Sequence, residues 1–314
     1  MKKELGIFIL LVVLCAVTAT INPRFLSYAN LTNMANVIGL FGVFSLGLGL
    51  VIITGGIDLS VGSMCALTGI VLSLALTEWK WAWPLAVLFV ALIPMILGWA
   101  HGALITRMKM QPFIVTLCGL LLYRGIARFI ADDSTKGFGD PTAFTTLRQL
   151  VSGKFLGLPM PFVMLVVIGL ILWVVLHRSV YGRYLLAVGR NEEAARYSGI
   201  NTNLVITAAY IIAGLLTGIS GIMIAFYTNS VSPSNHGNFY ELYGIAAAVL
   251  GGCSLRGGEG SIIGIIIGTA LLQVLQNLVN LLGIPSSLNF AVMGAVVLLG
   301  VMADQVFQRR ARTA

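Results

Sequence analysis

The sequence predicts an all-α protein, a polytopic bundle of about ten transmembrane helices. Hydrophobic residues make up 58% of the 314-residue chain and charged residues only 10%, whereas a soluble domain carries about 25% charged residues. The mean hydropathy is +0.96. A soluble protein of this length could not shield so much apolar surface from water, so lipid must be the solvent for most of the chain.

Ten apolar segments are each long enough, or nearly so, for the roughly 20 residues that a spanning helix needs. Together they predict a single transmembrane domain over residues 1–314. Ten helices divide into two groups of five, and an odd number per group would give two inverted repeats. The segments are 5–21, 36–54, 57–77, 84–105, 112–131, 160–177, 203–227, 241–254, 261–282 and 287–306.

The basic residues predict how the chain is oriented in the membrane. If the N-terminus is cytoplasmic, twelve Lys and Arg residues fall on cytoplasmic segments and five on outer segments, namely Arg24, Lys80, Lys136, Arg148 and Lys154. Such a bias sets membrane topology. It places both termini in the cytoplasm and accounts for the net charge of +8 without a nucleic-acid partner.

The loop over residues 178–202 contains a predicted short helix on the cytoplasmic face. Asn191 is a good N-cap, Glu192 and Glu193 suit the positive end of the helix dipole, and Gly199 suits the stop. A helix of about two turns is not stable alone. It is either an amphipathic connector or a segment that docks in a groove of another protein.

Two glycine-rich turns separate the second from the third segment and the eighth from the ninth. The first contains Gly55, Gly56, Asp58 and Ser60, and the second begins at Gly251 and Gly252. Unwound backbone at membrane depth is tolerated only where protein or water covers it, and such breaks mark pathways in transporters. These segments are therefore gate candidates, or else tight turns at the membrane surface.

Four ionisable residues lie nearest the hydrocarbon and are functional candidates for that reason. They are Asp58, Arg124, Arg128 and Glu241. Arg128 has a possible ion-pair partner four residues on, in Asp132. Glu241 follows Asn238 by three positions, the spacing of a capping box at a helix start. Asp58 has no comparable structural explanation, although it lies at a turn.

Polar side chains form one stripe along the ninth segment, and two further segments carry regularly spaced glycines. The stripe would line a wet path for a hydroxyl-rich solute or bond neighbouring helices. Glycines four residues apart let helix backbones approach closely, within the chain or in a second copy. The stripe consists of Gln273, Gln276, Asn277 and Asn280, and the glycines are Gly214, Gly218, Gly260, Gly264 and Gly268.

No residue pattern points to catalysis, a metal or a cofactor. The four cysteines have no C-x-x-C spacing, the three histidines are far apart, and G-x-x-x-x-G-K-[ST] is absent. A membrane-embedded enzyme is accordingly disfavoured. A transporter driven by an ion gradient would need buried carboxylates near the bilayer centre, and only Asp58 and Glu241 are available.

Three motifs make the chain similar to a known family, the permease subunits of bacterial ATP-binding-cassette sugar importers of the ribose, xylose, arabinose and galactose type. They are GGIDLSVG at 55–62, AVGRNEEAARYSGI at 187–200, and the run from Glu241-Leu242 to VLGG at 249–252 with Ser254-Leu255 and Gly257-Gly258. Their order and spacing also match, and the resemblance covers nearly the whole chain.

The resemblance implies that a separate ATPase subunit supplies the energy and that a periplasmic or lipid-anchored binding protein delivers a monosaccharide. It implies a second permease copy, usually forming a homodimer within the lipid of the inner membrane. It also assigns the short helix to docking on the ATPase. The residues so assigned are Arg190, Asn191, Glu192, Glu193, Ala194, Ala195 and Gly199.

The predicted orientation can be tested by labelling a single cysteine. In a variant that lacks the four native cysteines, Ser198→Cys should react with a membrane-impermeant thiol reagent in inverted vesicles and not in intact cells. Lys154→Cys, on an outer segment, should show the opposite pattern and is the control. Reaction of Ser198→Cys in intact cells would contradict the topology.

Overall fold

The structure, a computed structural model, describes residues 2–140, 144–285, 288, 291, 292, 294, 295 and 298. These residues form a helical bundle. Its helices are α1 (Lys2–Ile21), α2 (Tyr28–Ile53), α3 (Val61–Thr77), α4 (Trp83–Arg107), α5 (Pro112–Ile130), α6 (Thr145–Ser152), α7 (Met160–Arg178), α8 (Val180–Arg190), α9 (Glu192–Tyr197), α10 (Thr202–Thr228), α11 (Tyr240–Leu250) and α12 (Ile262–Leu281).

Four two-residue strands lie in the loops at the end of the bundle opposite α9. They form two small antiparallel ladders, β1 with β4 and β2 with β3. A single 3₁₀ turn, Pro23–Leu26, joins α1 to α2. The strands are β1 (Lys136–Gly137), β2 (Lys154–Phe155), β3 (Leu158–Pro159) and β4 (Ser230–Val231).

Within the described residues, seven helices are long and apolar enough to cross a membrane, namely α1, α2, α4, α5, α7, α10 and α12. Two shorter apolar helices, α3 and α11, accompany them. The most apolar window is 83% buried in α2 and 78% buried in α10, but 28% or less in α1, α4, α5 and α7. The predicted multi-pass helical bundle is confirmed, with α2 and α10 at its centre.

Three predicted helix boundaries were wrong. Helix α2 begins at Tyr28 rather than at 36, because the Ser27 hydroxyl caps it by accepting from the Asn30 amide. Helix α3 begins at Val61 rather than at 57, after an irregular segment. Helix α11 ends at Leu250 rather than at 254, because the chain turns there through a positive φ at Gly252.

Two further predictions concern the segment 178–202 and the last span. The segment 178–202 holds two helices, α8 and α9, where one was expected. The tenth predicted span, 287–306, lies outside the described residues except for a few isolated positions.

The two central helices are each followed by an irregular segment and then a short helix. Residues 54–60, here called linker A, join α2 to α3, and residues 229–239, here called linker B, join α10 to α11. Helix α2 packs on α11 and α12, while α10 packs on α3 and α4. Each central helix thus packs on the two helices that follow the other central helix. Two inverted five-helix repeats would give this arrangement, with α2–α4 matched to α10–α12.

Glycines set the close approach of helices within the chain. A Cβ at Gly264 would lie 2.0 Å from the Gly251 carbonyl oxygen, and one at Gly268 would lie 2.1 Å from that of Ala247. A Cβ at Gly214 would likewise lie 2.1 Å from the Pro94 oxygen. The predicted packing role of these glycines is thus found between α11 and α12 and between α4 and α10.

Replacing Gly268 should destabilise the bundle. In Gly268→Ala the added methyl group meets backbone, which cannot move aside alone, so we expect a loss of about 1–3 kcal/mol in the free energy of unfolding. Gly125→Ala, where nothing lies within 4 Å of the new Cβ, is the matched control and should be neutral or slightly stabilising. Thermal unfolding in detergent measures both. Equal midpoints would contradict the packing role of Gly268.

Candidate functional site

Helix α9 is a short, exposed helix whose ends are fixed by its own sequence. The Asn191 side chain accepts a hydrogen bond from the Ala194 amide at 2.9 Å, and Gly199 has φ of +84° after the last turn. Glu192 forms an ion pair with Arg196. Ala195 alone is buried, whereas Tyr197 is 91% exposed. The predicted helix is present and offers most of its surface to a partner.

Three glycines bring the last turn of α8, just before α9, against two other parts of the chain. The Gly258 amide donates a hydrogen bond of 2.9 Å to the carbonyl of Ile53, the last residue of α2. A Cβ at Gly189 would lie 1.8 Å from that same oxygen and 2.4 Å from the Gly258 nitrogen. A Cβ at Gly257 would lie 2.6 Å from the Gly189 oxygen. We call Ile53, Gly189, Gly257 and Gly258 the glycine junction.

Sequence patterns alone do not indicate that these segments meet. Gly189, Ile53 and Gly258 belong to or adjoin the three motifs that carry the family resemblance, yet more than 60 positions separate each from the next. Gly189 and Gly258 share one signal, a glycine where a helix ends or a turn occurs.

Linker A is held in place by its own polar groups and by hydroxyls from two helices. Asp58, 1% exposed, accepts hydrogen bonds from the amide and the hydroxyl of Ser60 at 2.9 and 2.6 Å. The Ile57 carbonyl accepts from the hydroxyls of Thr116 on α5 and Tyr210 on α10, at 3.2 and 3.3 Å. Asp58 therefore closes a local turn, and the linker backbone is fastened to both neighbouring helices.

Gly55 and Gly56 supply the conformation and the space that linker A needs. Gly55 has φ of +83°, which favours glycine. A Cβ at Gly56 would lie 2.6 Å from the Tyr210 hydroxyl oxygen. At the other glycine-rich turn Gly251 contacts Gly264, and Gly252 turns the chain away from α11. Each turn is thus only partly buried, since Gly56 and Gly251 are buried but Gly55 is exposed.

A buried histidine lies beside linker A that the sequence did not single out. The His101 Nε2 and the Tyr123 hydroxyl are hydrogen-bonded at 2.7 Å, and the two rings stack. Tyr210 meets the His101 ring edge-on. His101 is 2% exposed, and its Nδ1 has no hydrogen-bond partner among the described residues. The pair joins α4 to α5 next to Asp58.

Linker B is fastened by Arg124. This side chain donates from Nη1 to the carbonyls of Pro233 at 3.0 Å and His236 at 2.6 Å. Both residues are buried, so the guanidinium satisfies backbone oxygens that water does not reach. The charges of Arg124 and Glu241 also attract each other.

Glu241 does not form the predicted capping box. Phe239 occupies the N-cap position of α11, with φ of +66°, and the Asn238 amide is bonded to the Asn235 carbonyl. The left-handed residue between Asn238 and the helix removes the capping geometry. Glu241 is instead buried against the start of α3, where a Cβ at Gly62 would lie 2.6 Å from its Oε2.

The partner predicted for Arg128 was also wrong. Its guanidinium binds Asp133, not Asp132, through bonds from Nε to Oδ1 at 2.8 Å and from Nη2 to Oδ2. Helix α5 ends at Ile130, so the chain has left helical spacing before either aspartate. Hydrogen bonding to Arg128 lowers the pKa of the Asp133 carboxyl from its ordinary value.

The polar stripe on α12 is divided between different environments. Asn277 and Asn30 of α2 exchange two side-chain amide hydrogen bonds, at 3.1 and 2.8 Å. Gln273 is buried, Gln276 is partly buried, and Asn280 is exposed. At Asn277, therefore, the stripe bonds a neighbouring helix.

The long apolar spans define a multi-pass membrane protein. Comparison with known proteins identifies the group. Residues 30–301 match the family described as branched-chain amino acid transport system / permease component. Since this match covers most of the sequence, the chain belongs to that family of permeases, which are multi-pass proteins of the inner membrane.

Several curated relatives are similar over nearly their full length. The chain is 38% identical to the ribose import permease protein RbsC of Bacillus subtilis (strain 168), over 96% of this chain and 93% of the relative. It is 38% identical to RbsC of Escherichia coli (strain K12), over 94% and 92%. It is 34% identical to the autoinducer 2 import system permease protein LsrD of Enterobacter sp. (strain 638), over 98% and 94%. No solved structure matches the chain.

Removing the Arg124 guanidinium should loosen linker B. Arg124→Gln leaves buried carbonyls of Pro233 and His236 without their donor, at a cost of about 1–3 kcal/mol each. Hydrogen–deuterium exchange of residues 232–239 should therefore become at least about tenfold faster. Arg128→Gln, on the same helix but in an exposed ion pair, is the control and should leave the segment unchanged. Identical exchange in both variants would disprove the anchoring role of Arg124.

Proposed function

We propose that this chain is the transmembrane permease subunit of an ATP-binding-cassette importer that moves a monosaccharide across the inner membrane by alternating access. The observation that carries the proposal is the pairing of near-full-length similarity to ribose import permeases with the exposed short helix α9. The LsrD relative, named for autoinducer 2 import, is a reason to keep the solute open among pentoses, hexoses and related polyols.

Helix α9 is the proposed contact to a separate ATPase subunit. Helix α9 (Glu192–Tyr197) is capped and mostly exposed, and it lies at the end that the basic residues predict to be cytoplasmic. A groove of about 500 Å³ lies beside it between α8 and α9, with Arg190, Asn191, Ala194 and Ser198 on its wall. A protein partner can bind an exposed helix and the open groove beside it.

Linkers A and B are the proposed moving parts of the pathway. Each is irregular backbone that is partly buried between helices, and membrane proteins tolerate such backbone where a passage is built. Asp58 and Ser60 lie in linker A, Gly55 and Gly56 at its start, and Glu241 just after linker B. The turn at Gly251 and Gly252 then leads from α11 to α12.

The α12 stripe contributes less to this proposal. Opening a path at Asn277 would break its reciprocal bonds with Asn30, whereas Gln273 and Asn280 have no such restraint among the hydrogen bonds of the described residues. We place these three residues at the border of the pathway.

Two further partners complete the proposed importer. A periplasmic or lipid-anchored binding protein would dock at the end opposite α9, where α6 and the two β-ladders lie. A second permease copy, giving a homodimer, would cover apolar surface such as that of α5, whose Leu121, Leu122 and Phe129 are 66%, 59% and 83% exposed and need a protein or lipid cover. We assign no covalent chemistry to this chain, since ATP is hydrolysed on the partner.

Transport in liposomes tests this function against an ion-driven transporter. With the ATPase subunit and the binding protein present, uptake of ribose, or of another sugar from a panel of pentoses and hexoses, should require ATP. An imposed proton or sodium gradient without ATP should give none. Uptake driven by either gradient alone would refute the importer and favour a secondary transporter.

The docking role of α9 is tested by co-purification with the ATPase subunit. Glu193→Ala combined with Gly199→Ala should weaken assembly about tenfold, as expected when interface anchors worth about 1–2 kcal/mol are lost. Glu78→Ala with Gly139→Ala is the matched control at the opposite end, because Glu78 is exposed and Gly139 also has a positive φ in open space. Unchanged assembly of the α9 variant would count against docking there.

A further inference from the structure

From the glycine junction we infer a role in coupling: Gly189, Gly257 and Gly258 are positioning residues that transmit a displacement of α9 at once to linker A and to the turn before α12. This inference rests on the proposed function, because it requires an ATPase that moves α9. It adds the route by which that movement would reach the two halves of the bundle.

The first step of the route is the short connection from α9 to α8. Asn191 is the only residue between Arg190, where α8 ends, and Glu192, where α9 begins. Its side chain is bonded to Ala194 and its backbone amide to the Ala187 carbonyl. Because the connection is so short, a displacement of α9 also displaces the last turn of α8, which contains Gly189.

The second step is a contact between backbones. The hypothetical Cβ distances of 1.8 Å to the Ile53 oxygen and 2.4 Å to the Gly258 nitrogen leave no room for a side chain at Gly189. Gly258 also approaches Arg190, with a hypothetical Cβ 2.9 Å from the Arg190 Cα. Side chains absorb motion by changing rotamer, whereas backbones in contact and hydrogen-bonded move together.

The third step is the connection from the junction to the pathway. Ile53 is the last residue of α2, so linker A begins one residue later and reaches Asp58 within five positions. A Cβ at Gly257 would also lie 2.9 Å from the Gly55 amide nitrogen. Gly258 belongs to the turn that enters α12 at Ile262. One displacement of Gly189 therefore acts on both halves of the bundle.

A defect at this junction should uncouple sugar transport from ATP hydrolysis without abolishing hydrolysis itself. In Gly189→Ala the new methyl group must separate α8 from Ile53 and Gly258, while the docking face of α9 stays intact. Assembly with the ATPase and ATP hydrolysis should persist. Sugar taken up per ATP hydrolysed should fall by at least about fivefold, the lower end of coupling between sites in proteins.

The experiment uses the full importer in liposomes with two control variants. Gly214→Ala places a Cβ 2.1 Å from the Pro94 oxygen, an equally tight contact away from the junction, and Gly125→Ala adds a Cβ in open space. Gly214→Ala should reduce the amount of folded protein without changing the uptake per ATP, and Gly125→Ala should change neither. A normal ratio in folded Gly189→Ala, or an equal fall in folded Gly214→Ala, would overturn the inference.

Hydrogen–deuterium exchange of the unaltered permease decides the question if Gly189→Ala does not fold. Binding of the ATPase subunit should protect residues 190–199 and, through the junction, residues 51–58 and 254–260. Protection confined to 190–199 would overturn the inference while leaving docking intact. No protection at 190–199 would refute docking itself, and the inference with it. ATP-dependent uptake by the wild-type importer separately establishes the proposed function.

Discussion

The structure depends on satisfying buried backbone polar groups where the helices are interrupted. An unpaired carbonyl or amide costs several kcal/mol in an apolar medium, so an irregular segment inside the bundle needs donors from elsewhere in the chain. Thr116 and Tyr210 supply them to linker A, and Arg124 supplies them to linker B. Helix α5 serves both linkers, which explains why its one buried face carries polar residues among apolar ones.

The two interruptions are fastened in different ways although they occupy corresponding places in the fold. Linker A is bound by hydroxyl groups and adjoins the glycine junction, so its restraints are mostly uncharged. Linker B is bound by a guanidinium, with Glu241 close to Gly62. Because a charged donor holds an oxygen more strongly than a neutral one, the two segments have unequal resistance to displacement despite the matched arrangement of α2–α4 and α10–α12.

Sequence patterns predicted the features that depend on residues near one another in the chain. The apolar runs predicted the spans, and Asn191, Glu192 and Gly199 predicted α9. Features that depend on which helices cross were not predictable. Arg124 and Pro233 are 109 positions apart, and nothing in either segment specifies the other. The capping box at Asn238 and the Arg128–Asp132 pair failed because the backbone left helical geometry between the two positions.

The paired amides of Asn30 and Asn277 restrict how these two helices can change during evolution. Each side chain supplies both a donor and an acceptor to the other. Replacing one of them therefore leaves two polar atoms of its partner without hydrogen bonds in a half-buried site. A single substitution is therefore costly, while exchanging both for apolar residues of similar size need not be. The two positions are therefore expected to covary, because together they fix the register of α2 against α12.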